Sequence, residues 1–346
     1  MTSNLFQSRA SNPAWACRAA TVGDVPAINH LFAEVFGSTR DDATVAWRYF
    51  DNPSGPPVIL VAEAHGQIIS QCALWPTMLR YGGRRLLGAQ SVDLMTHPAY
   101  RGEGIASGLA QRAYKRAAER GIQILFSFPN RETLRASTGL GWCVIGETDT
   151  YSRPLRSHAL HRVPGILHPL MSVGLLAWPL ARTDSWECAN ERPSPHELQE
   201  MTEIRNRVGA CQWQTDHQPE WYDWRFAAEM GPYRWATLRR HQRIEAVAVW
   251  GLSSDRQSAR IAEVIARSEH SLAAAMAHIV RDARAAGCVT VEAITNDSSV
   301  RSALVRNGFR HVGTLPFRVR AIGGQPIPSL ERFDSWKLFG SDFDVF

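Results

Sequence analysis

The chain has no cysteine framework. Its six cysteines (Cys17, Cys72, Cys143, Cys188, Cys211 and Cys288) form no C-x-x-C pair and lie far apart in sequence. That spacing excludes a disulfide-stapled domain and a zinc site, and it reads as scattered thiols in a reducing compartment. No metal is expected. Nor does any apolar run reach the about 20 residues that a membrane span needs. Residues 163–181 come nearest, but Pro164, His168, Pro169 and Pro179 interrupt them. The expectation there is a linker helix packed between domains, with weak association to a membrane surface as the remaining reading. Met1 to Ala16 carries no apolar signal core, so no secretion and a cytoplasmic location are expected. There is also no long Lys/Arg run. The net charge of +5 suits an anionic small ligand and does not argue for nucleic acid.

What remains is an ordinary globular composition, 45% hydrophobic and 21% charged, in 346 residues. That length favours two domains over one. One stretch stands out. Ser91 to Thr96 is an apolar strand ending at His97-Pro98, and the glycine-bearing loop Arg101-Gly102-Glu103-Gly104-Ile105-Ala106 then opens a helix. Backbone amides at such a helix start, with the positive end of its dipole behind them, suit an anion. Gly102 and Gly104 let the main chain approach a ligand. The glycine spacing is not that of the dinucleotide fingerprint, and no Gly-Lys-Ser/Thr follows as in a Walker loop. Taken alone, the loop reads either as a phosphate or pyrophosphate binder or as a plain strand-to-helix turn.

The surrounding pattern predicts a strand over Trp15–Ala20 and a helix closed by Gly37. A second helix follows, capped by Asp41-Asp42. Three strands in a meander come next, over Val58–Ala64, Gln67–Arg80 and Leu86–Thr96. The helix over 105–120 leads into a continuous apolar strand, Ile122–Phe128, of the kind buried in a parallel position. Pro129-Asn130, a short helix from Arg131, Gly141-Trp142 and strand-like segments up to Tyr151 complete this half.

Arg101 to Ala106 fits Arg/Gln-x-x-Gly-x-Gly/Ala, and Asn130 to Gly141-Trp142 resembles an Asn…Gly-Phe motif with Trp for Phe. In this order and context they resemble the GNAT acyl-CoA N-acyltransferases over residues 15–151. The resemblance implies an α/β fold (an α+β mixed sheet), with a mostly antiparallel central sheet flanked by helices. It also implies acetyl-CoA or another acyl-CoA as co-substrate. By that resemblance the backbone of Leu94, Met95 and Thr96 faces the CoA arm, Arg101, Gly102, Glu103, Gly104, Ile105 and Ala106 hold the pyrophosphate, and Asn130 contacts the arm.

The second half repeats the first. Trp47-Arg48-Tyr49 recurs as Trp224-Arg225-Phe226, Gly121 as Gly287, Asn130 as Asn296, and Gly141-Trp142 as Gly308-Phe309. Repeats of this kind define the architecture. The expected organisation is a CoA-binding domain over 1–151, an apolar linker over 152–195 and a degenerate GNAT-like domain over 196–346, a pseudo-dimer within one monomer. Where the first copy has its glycine loop, the second has Arg267-Ser268-Glu269-His270-Ser271, without glycine. It encodes no amide nest for pyrophosphate.

The implied reaction is attack of a neutral amine on the thioester, which needs a base, oxyanion stabilisation and protonation of the leaving thiolate. Asp93, a carboxylate on an apolar strand, is the candidate base, with burial expected to raise its pKa. The alternative is an Asp bonded to neighbouring backbone. His97 is expected to serve loop geometry. Many family members carry a Tyr acid four residues before the motif glycine, whereas this chain has Ser137 there and Leu304 in the second copy. Tyr151 is a further candidate acid. Trp47-Arg48-Tyr49 reads as structural because it repeats. Asp342 and Asp344 are either acceptor-binding or surface acids. The expected partner is a small-molecule amine, an amino sugar or nucleotide-linked amino sugar, with an aminoglycoside or amino acid behind. The readings from other classes are a non-catalytic acyl-CoA sensor or scaffold, and an aminoacyl transferase, which would not need the pyrophosphate loop.

Overall fold

A computed structural model describes residues 15–157, 178–207, 212–227, 231, 233–253, 255–324 and 326–343. Most of the apolar run 163–181 lies outside the described residues, and so does Asp344. Strand β1 (Ala16–Ala19) precedes helices α1 (Val25–Phe36) and α2 (Asp42–Phe50). Gly37 ends α1 in the left-handed conformation, and the Asp41 side chain accepts from the Thr44 amide to start α2. The meander is β2 (Val58–Ala64), β3 (Gln67–Tyr81) and β4 (Arg84–Thr96). Then come α3 (Ile105–Glu119), β5 (Ile124–Ser127), α4 (Arg131–Ala136) and β6 (Cys143–Pro154).

The second half runs β7 (Glu187–Ala189), α5 (Pro195–Arg205), β8 (Trp213–Thr215), α6 (Pro219–Arg225) and a second meander of β9 (Arg234–Arg240), β10 (Arg243–Leu252) and β11 (Ser258–Ala266). It closes with α7 (Glu269–Ala285), β12 (Thr290–Thr295), α8 (Ser298–Arg306) and β13 (Arg310–Ala321). Both halves are thus a mixed sheet flanked by helices, as expected.

The sheets are not separate. The strand order is β1-β2-β3-β4-β5-β13-β6-β12-β11-β10-β9-β7, with β8 on β3. The last strands are exchanged: β13 pairs antiparallel with β5 of the first half, and β6 pairs antiparallel with β12 of the second. The boundary drawn at Tyr151 therefore falls inside a strand that completes the other half's sheet. Each motif tryptophan packs on its counterpart's half as well. Trp47 and Trp224 lie 5.3 Å apart, and Trp224 Nε1 donates to the Trp47 carbonyl at 3.3 Å. That mutual packing explains why the triplet occurs twice.

Candidate active site

Strands β4 and β5 run parallel but pair only over Gly88–Gln90 and Ile124–Phe126. Beyond Gln90 and Phe126 they diverge, leaving the edge of Ser91–Thr96 without a β5 neighbour. The cause is visible in β4. A bulge against Gln71–Ala73 places two residues opposite Cys72, and Asp93 sits in it with φ +45°. Bulges increase twist and bend a strand.

Below this gap, α3 begins at Gly104 with φ +76°, after Gly102 at +84°. Both lie in the left-handed region, which glycine adopts without penalty. Gly104 has no side chain to cap α3, and no acid occupies the first turn. The first-turn amides and the helix dipole are therefore left facing outward. They border a cavity of about 480 Å³. Of the residues expected to hold CoA, Leu94, Met95, Thr96, Arg101, Gly102, Gly104, Ile105, Ala106 and Asn130 line it. Glu103 does not; it is exposed in the loop. Val35 and Phe36 of α1, Tyr100, Ser107, and Glu132, Thr133 and Arg135 of α4 complete the wall. They come from the ends of elements whose approach no local pattern announces. Asn130 uses its side-chain oxygen to accept from the Thr133 amide at 2.8 Å, capping α4. His97 Nδ1 accepts from the Ala99 amide at 3.2 Å, the loop role expected of it.

Asp93 does not line this cavity. Its side chain is 11% exposed, and its partners come from α2 and from the segment between α1 and α2. Its Oδ2 accepts from Arg40 Nη1 at 2.6 Å and from the Tyr49 hydroxyl. Gln71 Nε2 donates to that hydroxyl at 3.2 Å. Burial pushes the Asp93 carboxyl up, but the charges of Arg48 and Arg40 and the bonds from Tyr49 and Arg40 outweigh it. The carboxyl is held below the usual carboxylate range, against the rise expected from burial alone. The sequence offered the buried carboxylate but not its cations, because Arg40 and Arg48 reach it only across the fold. Tyr151, the candidate acid, is far from this strand. It lies on β6 opposite Ala293 of β12, in the core of the second half, with its hydroxyl 3.4 Å from Asp149.

The acetyltransferase (GNAT) domain family matches residues 16–143, the segment carrying the diverging strands, the loop and α3. That segment is a GNAT domain. No curated protein matches it in sequence. Solved acyltransferase structures share its fold over 89% of its length. A GCN5-related N-acetyltransferase from Anabaena variabilis matches at 14% identity with a TM-score of 0.64, over 73% of that chain. One from Kribbella flavida matches at 16% identity with a TM-score of 0.60, over 71% of that chain. The N-myristoyltransferase of Saccharomyces cerevisiae, solved with myristoyl-CoA, matches at 10% identity with a TM-score of 0.65, over 83% of that chain. Among the described residues no group of His, Cys, Asp and Glu is placed to hold a metal, and no helix is long and apolar enough to cross a membrane.

The second half has closed the corresponding place. Its strands β11 and β12 also pair only at one end, Ser258–Arg260 with Thr290–Glu292. The chain's own C-terminal segment enters the gap. Asn296 donates to the Trp336 carbonyl and accepts from the Leu338 amide, both at 2.8 Å, and Thr295 Oγ1 donates to the Leu338 carbonyl at 3.0 Å. Helix α7 is capped by its own Ser268 and Ser271, with Glu269 in the first turn. The Ser268 hydroxyl accepts from the Ser271 amide, and a carboxylate stands in the same turn. The cavity left there, about 280 Å³, has its charges paired internally, Arg205 with Glu263 at 2.9 Å and Lys337 with Asp297 at 3.2 Å.

In this half the buried carboxylate is Glu263 of β11, paired with Val249 beside the β10–β11 bulge. Around it lie Arg205, Tyr222, Ser341, His217 and Asp342, the last four fully enclosed. Asp342 is thus no surface acid. Burial raises it to about 6 despite Arg205, while burial and Arg205 lower His217 to about 3. A neutral buried His takes up a proton on unfolding, so its stabilisation is lost as pH falls from 6.5 towards 3. Asp342 acts oppositely, its contribution being lost as pH rises through about 6. His217→Gln should leave only the second effect. Relative to the parent, the variant should gain up to about 1.4 kcal/mol of stability per pH unit on acidification through that window. Urea unfolding midpoints as a function of pH check this, and parallel curves would refute it.

Proposed function

We propose that the chain is an N-acyltransferase that moves an acetyl group from CoA to the amine of a small acceptor, an amino sugar or nucleotide-linked amino sugar, in the cytoplasm. The observation that carries the acyl-CoA part is the uncapped α3 terminus set directly below a strand edge left free by the β4–β5 divergence. An anion fits the first and an extended amide-bearing arm fits the second. In this reading residues 1–151 hold the cofactor, 152–195 link, and 196–346 form the degenerate copy. Leu94, Met95 and Thr96 offer backbone to the CoA arm, the amides of Arg101 to Ala106 take the pyrophosphate, and Asn130 borders the arm. The Glu103 side chain takes no part.

Acetyl is favoured over a long chain because the inner end of the gap is filled. Phe128 stacks on Phe343 at 3.8 Å between ring centres, and Phe126 packs on Phe317 and Trp336. Next to Gln90 and Phe126 remains a space of about 20 Å³, room for roughly one water-sized group, walled by Trp75, Trp221 and Trp224.

Asp93 receives the ammonium proton in this reading. Held below the usual carboxylate range, it stays ionised across neutral pH, so the acid limb of the rate profile belongs to the acceptor amine. Asp93→Asn should lower turnover about a hundredfold with the acetyl-CoA KM nearly unchanged. An unchanged rate would make the Asp93–Arg40–Tyr49 cluster structural. The test of the whole reading is release of free CoA thiol from acetyl-CoA against a panel of amines and amino sugars. CoA binding without acceptor-dependent thiol release would overturn transfer and favour a sensor.

A further inference from the structure

The two halves meet around one small space. Its wall includes Gln90 and Phe126, the last pair between β4 and β5, and Asp342 of the C-terminal segment, with Trp75, Trp221 and Trp224 around them. Glu263 takes Arg205 at 2.9 Å, and Asp342 Oδ1 reaches the same guanidinium only at 3.5 Å. His217 stands 3.5 and 3.6 Å from the two carboxylates, but it is neutral, held down to about 3. Arg225, which also lines the space, gives its amino groups to the Tyr233 hydroxyl at 2.9 Å and the Phe343 carbonyl at 3.4 Å. Asp342 is otherwise held by neutral donors, the Thr215 hydroxyl and the Phe339 amide. Two buried carboxylates thus share the Arg205 guanidinium, and a buried charge without its counterpart is costly.

The space itself suits a cation. It holds about 20 Å³, one water-sized group, and a primary ammonium head is of that size. Indole rings attract a cation through their π electrons, and a desolvated carboxylate holds one more strongly than an exposed carboxylate does. The position is specific. Gln90 and Phe126 mark the point from which the β4 edge is free for an extended arm, so a group held beside them stands at the inner end of that gap. We infer that this space seats the ammonium head of the acceptor, with Asp342 as its counter-charge and Trp75, Trp221 and Trp224 around it. The acceptor is then a primary amine, since an N-methyl group would have no room. This rests on the transfer reading above and adds a binding residue to it. Asp342 fixes where the amine stands, and the proton-accepting role proposed for Asp93 is separate.

The probes are methylammonium, the head group alone, and tetramethylammonium, which has the same charge and is too large for the space. Nuclear magnetic resonance saturation transfer from the full chain to the probe's methyl protons reads binding. Methylammonium should bind and tetramethylammonium should not. Asp342→Asn should weaken methylammonium by at least about tenfold and leave acetyl-CoA affinity unchanged. Its thermal midpoint should be equal or higher, because burial holds the Asp342 carboxyl up at about 6 and its charge at neutral pH costs stability. Thr77→Leu, which fills the space from a half-buried β3 position and leaves every charge in place, should give the same loss. If Asp342→Asn does not fold, Thr77→Leu carries the test. Equal methylammonium binding by the parent and the variants, or equal binding of the two probes, would overturn the inference. So would a loss of acetyl-CoA affinity in the variants, which would assign the space to the acetyl methyl group. Methylammonium binding with no thiol release from acetyl-CoA against any amine would instead overturn the transfer reading.

Discussion

Gly104→Asp should abolish CoA binding while the chain still folds. Gly104 has φ +76°, a region that costs a residue with a side chain about 1 kcal/mol. A Cβ there meets nothing within 4 Å, so no steric conflict adds to that cost. The effect falls on the ligand. The new carboxylate would sit at the uncapped first turn of α3, where the pyrophosphate is proposed to lie. Two like charges 4 Å apart repel by about 4 kcal/mol at an effective dielectric of 20. The carboxylate would also cap the amides that the phosphate needs. A loss of at least about a hundredfold in affinity follows, measurable by titration calorimetry with CoA. Glu103→Gln, one residue away, should change affinity less than about threefold, because its side chain does not line the cavity. Equal effects at the two positions would mean that the pyrophosphate does not rest on the first-turn amides of α3.

Trp336→Ala should destabilise the fold by about 4 kcal/mol, the range for removing a large aromatic from a core. Trp336 is 4% exposed and donates from Nε1 to the Leu330 carbonyl at 2.9 Å. Its ring contacts Trp213, Phe126 and Phe317 at 5.6, 6.3 and 5.0 Å between centres. Those rings belong to β8, β5 and β13, so the C-terminal segment binds both halves together. Truncation would leave a void at the seam and an orphaned carbonyl, adding about 1 kcal/mol. Urea unfolding followed by far-ultraviolet circular dichroism gives the value. A loss below about 1 kcal/mol would show that the segment merely lies on the surface.

Much of this molecule is legible along the chain because much of it is local. The strand limits of β2, the glycine stop of α1, the Asp41 cap and the helix opening at Ile105 all depend on neighbouring residues, and all lie where the periodicity and turn residues put them. The loop cavity was readable for the same reason. Left-handed glycines and a helix start fall within six consecutive residues. The internal repeat was readable because identical folds impose identical spacings.

What no local pattern encodes is which strand completes which sheet. The exchange of β6 and β13 is decided by the packing of whole halves, and it carries Arg318 to Ser127 and Ser137 across 191 and 181 positions of sequence. The sign of the Asp93 shift was decided the same way. Burial alone raises a carboxyl, but Arg40 and Tyr49, 53 and 44 positions away, converge on it and reverse the outcome. The C-terminal segment filling the second gap is likewise a tertiary event. Sequence by itself determined the elements, the duplication and the glycine loop. Only the tertiary structure decided the charges around Asp93, the partners of Arg318 and the closing of the second site, because electrostatics and strand pairing depend on distance in space.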